Sequence, residues 1–260
     1  MRLRDVGWCW EGQGLDPGVY PSMYGVGEGC RYFGLKRAVF LFHPVDRYAL
    51  EKMADLEEVA CDISETYSGY DRDGLTREVL ATPERTRARA EIVSRLSLEF
   101  PNVTGGFFDD LKGLMKAHNY SVADLAATRA ALGSHNPALK MWSVVYGHEL
   151  DDTGFWASVA PYIDIVNLWI WQSADLEQQL DAHVERCRAL FPGKPLNIGF
   201  YLRDYGIPAP VPVERLALQF NLIVHYLERG LISGYSILAA VLIDGHREQA
   251  EFVRDFIAAH

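Results

Sequence analysis

The sequence lacks most of the short motifs that assign a protein at sight. Its four cysteines, Cys9, Cys30, Cys61 and Cys187, are far apart with no C-x-x-C pair, which removes zinc-ribbon and dithiol redox sites. Cys9 and Cys61 fall inside strand-like runs, where a free thiol packs as a small apolar group, so reduced, structural cysteines and a cytoplasmic location are expected. No apolar run reaches membrane-spanning length, and Met1-Arg2-Leu3-Arg4-Asp5 leads into Gly-Trp-Cys-Trp-Glu rather than the apolar core of a signal peptide. A dinucleotide turn is missing as well: Gly25-Val-Gly27-Glu-Gly29 lies well past the first strand-like run with the wrong spacing, and reads as loop. There is no G-x-S-x-G elbow, and Ser143 lies mid-strand, which argues against a serine hydrolase. H-x-H and H-x-x-E-H spacings are absent too. Basic residues are in deficit, with 25 Lys and Arg against 35 Asp and Glu for a net charge of -10. A field of that sign repels phosphate backbones and anionic lipid, so nucleic acid and membranes are poor partners and neutral or cationic small molecules better ones.

What the chain does contain is a regular alternation. With 49% hydrophobic residues over 260 positions it can offset chain entropy, which excludes disorder. Eight strand-like runs recur: Val6–Glu11, Ala38–His43, Val59–Ser64, Val103–Asp109, Met141–Tyr146, Ile165–Trp171, Asn197–Leu202 and Tyr235–Ile243. They are apolar on both faces, as parallel strands between helices and a packed interior must be. Helical signals separate them. Asp46 precedes Leu50, Met53 and Leu56; Thr82 with Pro83 opens a helix that stops before Pro101; Ser121 and Asp124 open one that ends at Gly133. Ser173 reads as a cap before the stripe Leu176, Leu180, Val184, Cys187 and Phe191, and Leu216, Phe220, Ile223 and Leu227 form another before Gly230. No linker, repeat or low-complexity tract divides the chain. Eight β/α units predict an α/β fold, a (β/α)8 TIM barrel spanning residues 1–260 as a single domain, in preference to a doubly wound open sheet.

In such a barrel the chemistry sits where the strands end and their following loops begin. Those ends supply Trp10 and Glu11, His43, Asp62 and Glu65, Asp109 and Asp110, Tyr146 with His148 and Glu149, Trp171 and Gln172, Tyr201 with Arg203 and Asp204, and Asp244. Carboxylates and rings dominate, whereas Glu58, Lys140 and Asp164 at the opposite ends are ordinary loop charges. Strand parity places Asn167, Trp169 and Trp171 in one row and Asn197, Gly199, Tyr201 and Arg203 in another, both pointing inward. Adjacent Asp109 and Asp110 oppose joint ionisation, so at least one needs a partner or a raised pKa. Glu149 is a second candidate acid or base; Asp204 is a third, or else the partner of Arg203. The long stretch after the third strand, with Tyr67, Tyr70, Asp71 and Asp73, reads as a lid or subsite wall, and Asp244 as an N-cap for the last helix.

Two carboxyl groups across a bond, beside rings that suit the C–H face of a sugar, are what glycoside hydrolysis requires. Gly105-Gly106-Phe107-Phe108-Asp109-Asp110, Tyr146-Gly147-His148-Glu149-Leu150, Leu168-Trp169-Ile170-Trp171 and Tyr201-Leu202-Arg203-Asp204-Tyr205 together resemble the glycoside-hydrolase-like (β/α)8 barrels. The likeness covers nearly the whole chain. It implies a catalytic acid at Asp109 or Asp110 on the fourth strand and a second carboxylate at Asp204 on the seventh. The chain departs from the best-known patterns in having neither an Asn-Glu pair on the fourth strand nor D-x-x-D-x-D-x-E. The expected function is hydrolysis of a neutral carbohydrate by Asp109, Asp110, Glu149 and Asp204. Trp10, Glu11, His43, Asp62, Glu65, Tyr146, His148, Trp171, Gln172, Tyr201 and Arg203 would bind the substrate, with no cofactor and no metal. Two alternatives stand beside it. One is a metal-dependent sugar isomerase, epimerase or aldolase drawing on His43, Asp62, Asp109, His148 and Glu149; the other is a non-catalytic carbohydrate-binding barrel.

Overall fold

The computed structural model describes residues 2–12, 19, 22–64, 66–71, 74–79, 81–170 and 173–260. Eight parallel strands close into a barrel: β1 (Gly7–Trp10), β2 (Arg37–Phe40), β3 (Glu58–Asp62), β4 (Val103–Phe108), β5 (Lys140–Tyr146), β6 (Ile165–Trp169), β7 (Leu196–Tyr201) and β8 (Gly234–Leu238). They follow one another around the ring in chain order, and β8 pairs back onto β1 with Gly7 opposite Tyr235 and Cys9 opposite Ile237. The fold is a (β/α)8 barrel. Its helices are α1 (Val26–Phe33), α2 (Arg47–Glu51), α3 (Pro83–Leu96), α4 (Leu111–Ala117), α5 (Val122–Leu132), α6 (Thr153–Val159), α7 (Leu176–Leu190), α8 (Val213–Glu228) and α9 (Arg247–Ala259), with α4 and α5 both following β4.

Strand parity divides the core in two. Outward residues such as Cys9, Ala38, Cys61, Val145, Ile198 and Ile237 pack beneath the helices. Inward ones, among them Trp8, Trp10, Phe107, Trp142, Trp169 and Tyr201, fill the barrel. Asn167 also points inward, where its Oδ1 accepts the Ser236 hydroxyl at 3.0 Å. The interior is a ladder of ring contacts: Trp8 to Trp142 at 4.6 Å between centroids, Trp10 to Phe107 and to Trp169 at 4.8 Å, and Trp169 to Tyr201 at 4.7 Å. Glycine makes room for it. A Cβ on Gly105 would lie 2.9 Å from the Trp142 indole, and one on Gly199 only 2.2 Å from that of Trp169.

Helix starts follow their caps. Asp46 accepts the Ala49 N–H ahead of α2, Thr82 accepts that of Arg85 ahead of α3 with Pro83 in the first turn, and Ser121 with Asp124 forms a reciprocal capping box on α5. Elsewhere the structure corrects the sequence reading. Gly25 to Gly29 is not loop: Gly25 caps α1, and Gly29 brings that helix onto the barrel, since a Cβ there would lie 2.7 Å from Ala240 and 3.1 Å from the Cys9 sulfur. The eighth strand stops at Leu238, and Ala240–Leu242 is a 3-10 turn in which Ala240 and Leu242 are buried rather than paired in the sheet. Asp244 does not cap α9, which has His246 at that position. Its carboxylate instead accepts the Ser22 hydroxyl at 2.8 Å and the Met23 N–H at 3.0 Å, tying the first loop of the mouth to the last. The long stretch after β3 carries an antiparallel hairpin, Thr66–Asp71 against Gly74–Val79; Asp73 lies outside the described residues.

Candidate functional site

The sharpest feature of the mouth is the junction between β4 and α4, where only Asp109 and Asp110 separate strand from helix. Asp110 takes left-handed backbone angles, φ 47° and ψ 37°, which non-glycine residues adopt at a cost. The turn is braced from behind: buried Asp109 accepts the Asp110 N–H on its own Oδ1 at 3.1 Å. The half-buried Asp110 carboxylate accepts the Tyr146 hydroxyl at 2.6 Å. That bond joins the ends of neighbouring strands, because β4 pairs with β5 in a register that sets Phe107 opposite Trp142 and Phe108 opposite Ser143.

β5 contributes the rest of the pocket. After Tyr146 the chain makes one 3-10 turn, Gly147–Glu149, in which Glu149 Oε2 accepts the Tyr146 N–H at 3.3 Å and the Glu149 carbonyl accepts the Trp156 indole N–H at 2.9 Å. Partial burial pushes the Glu149 carboxyl above the usual range; the Tyr146 N–H, Lys112 and His148 pull the other way, and the charge of Asp110 adds to the rise. Burial likewise drives the Tyr146 phenol well above its ordinary value, reinforced by Tyr201, Asp110 and Asp109, so its proton stays available for Asp110. His148 stacks on the Tyr146 ring at 5.5 Å. Asp110, Tyr146, His148 and Glu149, with Gly113 and Leu114 of α4, line a pocket of about 460 Å³. Gly113 and Leu114 carry no signal in the sequence, because a helix as short as α4 leaves too little periodicity to read.

Other expected site residues are placed differently. Trp10 and Tyr201 are buried in the ring ladder beneath the mouth, and Tyr205 extends that ladder at 5.2 Å from Tyr201. Asp62 is buried at the end of β3, accepting the Ser64 N–H at 2.7 Å and its hydroxyl at 2.6 Å. Arg203 and Asp204 are buried in a two-residue strand beside Ala209–Pro210. Burial pushes the Asp204 carboxyl up, but bonds from the Ser173 hydroxyl and N–H and the N–H groups of Gly206 and Ile207 outweigh it and hold the pKa low. Asp204 thus ties the loops after β6 and β7 together. Glu11 and His43 stand on the opposite arc of the rim and line a second pocket of about 400 Å³ between α1 and α2. Glu65, Trp171 and Gln172 lie outside the described residues. Among the described residues no three His, Cys, Asp or Glu side chains are grouped to hold a metal ion, and no helix is long and apolar enough to cross a membrane.

No protein-family model and no curated protein matches the sequence. Solved structures do match in fold. A family 18 chitinase from Crocus vernus superposes with a TM-score of 0.56 at 13% identity, covering 96% of this chain and 99% of that one. The chain shares the (β/α)8 barrel fold of that structure. The PgaB (BpsB) glycoside hydrolase domain from Bordetella bronchiseptica gives 0.55 at 12%, covering 97% and 99%. A Clostridium thermocellum protein that binds two copies of 5-methyl-5,6,7,8-tetrahydrofolic acid gives 0.52 at 10%, covering 100% and 97%. Identities this low establish architecture and leave function to the side chains.

Proposed function

We propose that the protein is a glycoside hydrolase acting on a neutral carbohydrate in the pocket formed by Asp110, Tyr146 and Glu149. One observation carries the reading: two carboxyl groups of unlike environment share that pocket, Asp110 held by the Tyr146 hydroxyl and Glu149 pushed up by burial. Unequal environments are how paired acids divide the work. Glu149 gives its proton to the glycosidic oxygen as the bond from the anomeric carbon to that oxygen breaks. Asp110 faces the positive charge that develops on the sugar; water then bonds through its oxygen to the anomeric carbon, and the proton it gives up returns to Glu149. The solved hydrolases of this fold support the assignment at the level of architecture. Asp204, with its carboxylate committed to four loop donors, acts here as a loop organiser.

The test is a panel of neutral aryl glycosides assayed with the Asp110→Asn and Glu149→Gln variants. Each substitution is expected to lower kcat by about 10²- to 10⁴-fold while circular dichroism and melting temperature stay close to the parent protein. The parent should also lose activity as pH rises and Glu149 gives up its proton, and Glu149→Gln should lose that alkaline limb. Full activity in both variants removes the pocket from the mechanism. Sugar binding with no turnover across the panel favours a carbohydrate-binding barrel instead.

A further inference from the structure

The second pocket has features that the hydrolase reading leaves unused. It lies after β1 and β2, whereas Asp110 and Glu149 follow β4 and β5, and in the ring order β1 stands across from β5. Strands about 4.8 Å apart and tilted by roughly 36–45° make a ring on the order of 15 Å across. One sugar residue cannot reach both pockets; a short chain can.

Its lining narrows the ligand further. Tyr48 is 71% exposed at the rim, a large ring left in water beside a cavity. Lys52 sits 5.2 Å from the centre of that ring. The floor is apolar, from buried Phe40 and Met53, with His43 stacked on Phe40 at 5.8 Å. Charges on the wall nearly balance: Glu28 and Asp46 stand against Arg31 and Lys52, burial raises the carboxyl of Glu11 to about 7, and Arg31 is already paired with Glu28 and Asp55. An anion or cation site shows an excess of one sign. This wall instead offers hydrogen-bonding groups of both kinds around an apolar face, which suits a neutral, hydroxyl-rich ring.

Gly27 supplies an independent indication. It is the second residue of α1, in the first turn. Neither backbone nor packing demands it: its φ is not positive, and a Cβ would meet only the Arg31 guanidinium at 3.5 Å and the Lys52 carbonyl at 3.6 Å, ordinary contacts. What a side chain at that position would do is fill the pocket.

We infer that the pocket between α1 and α2 is a distal subsite for a neutral sugar residue, so that the substrate is an oligosaccharide laid across the mouth from Tyr48 to Glu149. This rests on the hydrolase reading above. The experiment is calorimetric titration of the Asp110→Asn protein with neutral gluco-, xylo- and chito-oligosaccharides, from disaccharide to hexasaccharide. It is repeated with Tyr48→Ala or Gly27→Leu added, after melting curves establish that each protein is folded. Affinity should rise with chain length. Each added substitution should weaken hexasaccharide binding about tenfold while leaving disaccharide binding alone. Undiminished hexasaccharide binding in both variants overturns the subsite, as does a loss that is equal at every length. Should the parent protein cleave glycosides while the variants bind as it does, only the subsite fails. A parent that neither binds nor cleaves these sugars ends both proposals.

Discussion

Asp110 concentrates the local cost of the site in one residue. Its left-handed backbone is strained by roughly 1–2 kcal/mol relative to an ordinary conformation, and glycine would relax it without loss of fold. The strain fixes where the carboxylate points, and the Tyr146 hydroxyl and the Asp109 brace hold it there. Glu11 is the other residue whose environment has a measurable consequence. Burial lifts its carboxyl from 4.5 to about 7, against the pull of the Val26 and Gly12 N–H groups at 2.9 and 3.2 Å. In the unfolded chain the same group ionises at the ordinary value. Its favourable contribution to folding is therefore complete below about 4.5 and is lost as pH rises through about 7, on the order of 3 kcal/mol in all. Glu11→Gln should flatten this decline, read as a smaller fall in melting temperature between about pH 5 and about pH 8. The same fall in both proteins would show that Glu11 does not carry it.

At the scale of strands and helices, the interior depends on pairing a large ring with a missing side chain. Gly199→Ala should destabilise the protein by at least about 1–3 kcal/mol, because its methyl group would overlap the Trp169 indole. Gly154→Ala in α6, where a Cβ meets nothing within 4 Å, is the control and should cost nothing. Denaturant midpoints of the two variants settle the comparison. The strands were legible in the sequence because burial on both faces leaves an uninterrupted apolar run, and α2, α3 and α5 because Asp46, Thr82 and Ser121 cap them by side-chain oxygen. α1 was not, since three glycines in five residues look like loop until Gly29 is seen against Ala240 and Cys9. α4 and α6 are seven residues each, two turns that leave almost no pattern. Asp110 and Glu149 could be picked out as strand-end acids. The Tyr146 bond could not, because it joins residues 36 positions apart and depends on the register of β4 against β5. For the same reason the commitment of Asp204 to Ser173, 31 positions away, was hidden.

Over the whole molecule, the ring ladder draws on strands from β1 to β7, so it cannot form until most of the barrel has closed. Near-ultraviolet dichroism of those tryptophans and far-ultraviolet dichroism of the helices should therefore change together on heating or in urea, as one cooperative unit requires. Separate transitions would mean that the chain divides into parts that fold on their own. Closure has another result, seen in the pairing of β8 with β1. An open sheet exposes a row of amides at its margin, able to recruit a foreign strand; this sheet has no margin. The barrel's backbone polarity is spent internally, so under the proposed function a carbohydrate would be recognised through loops, rings and carboxyl groups rather than by pairing with a barrel strand.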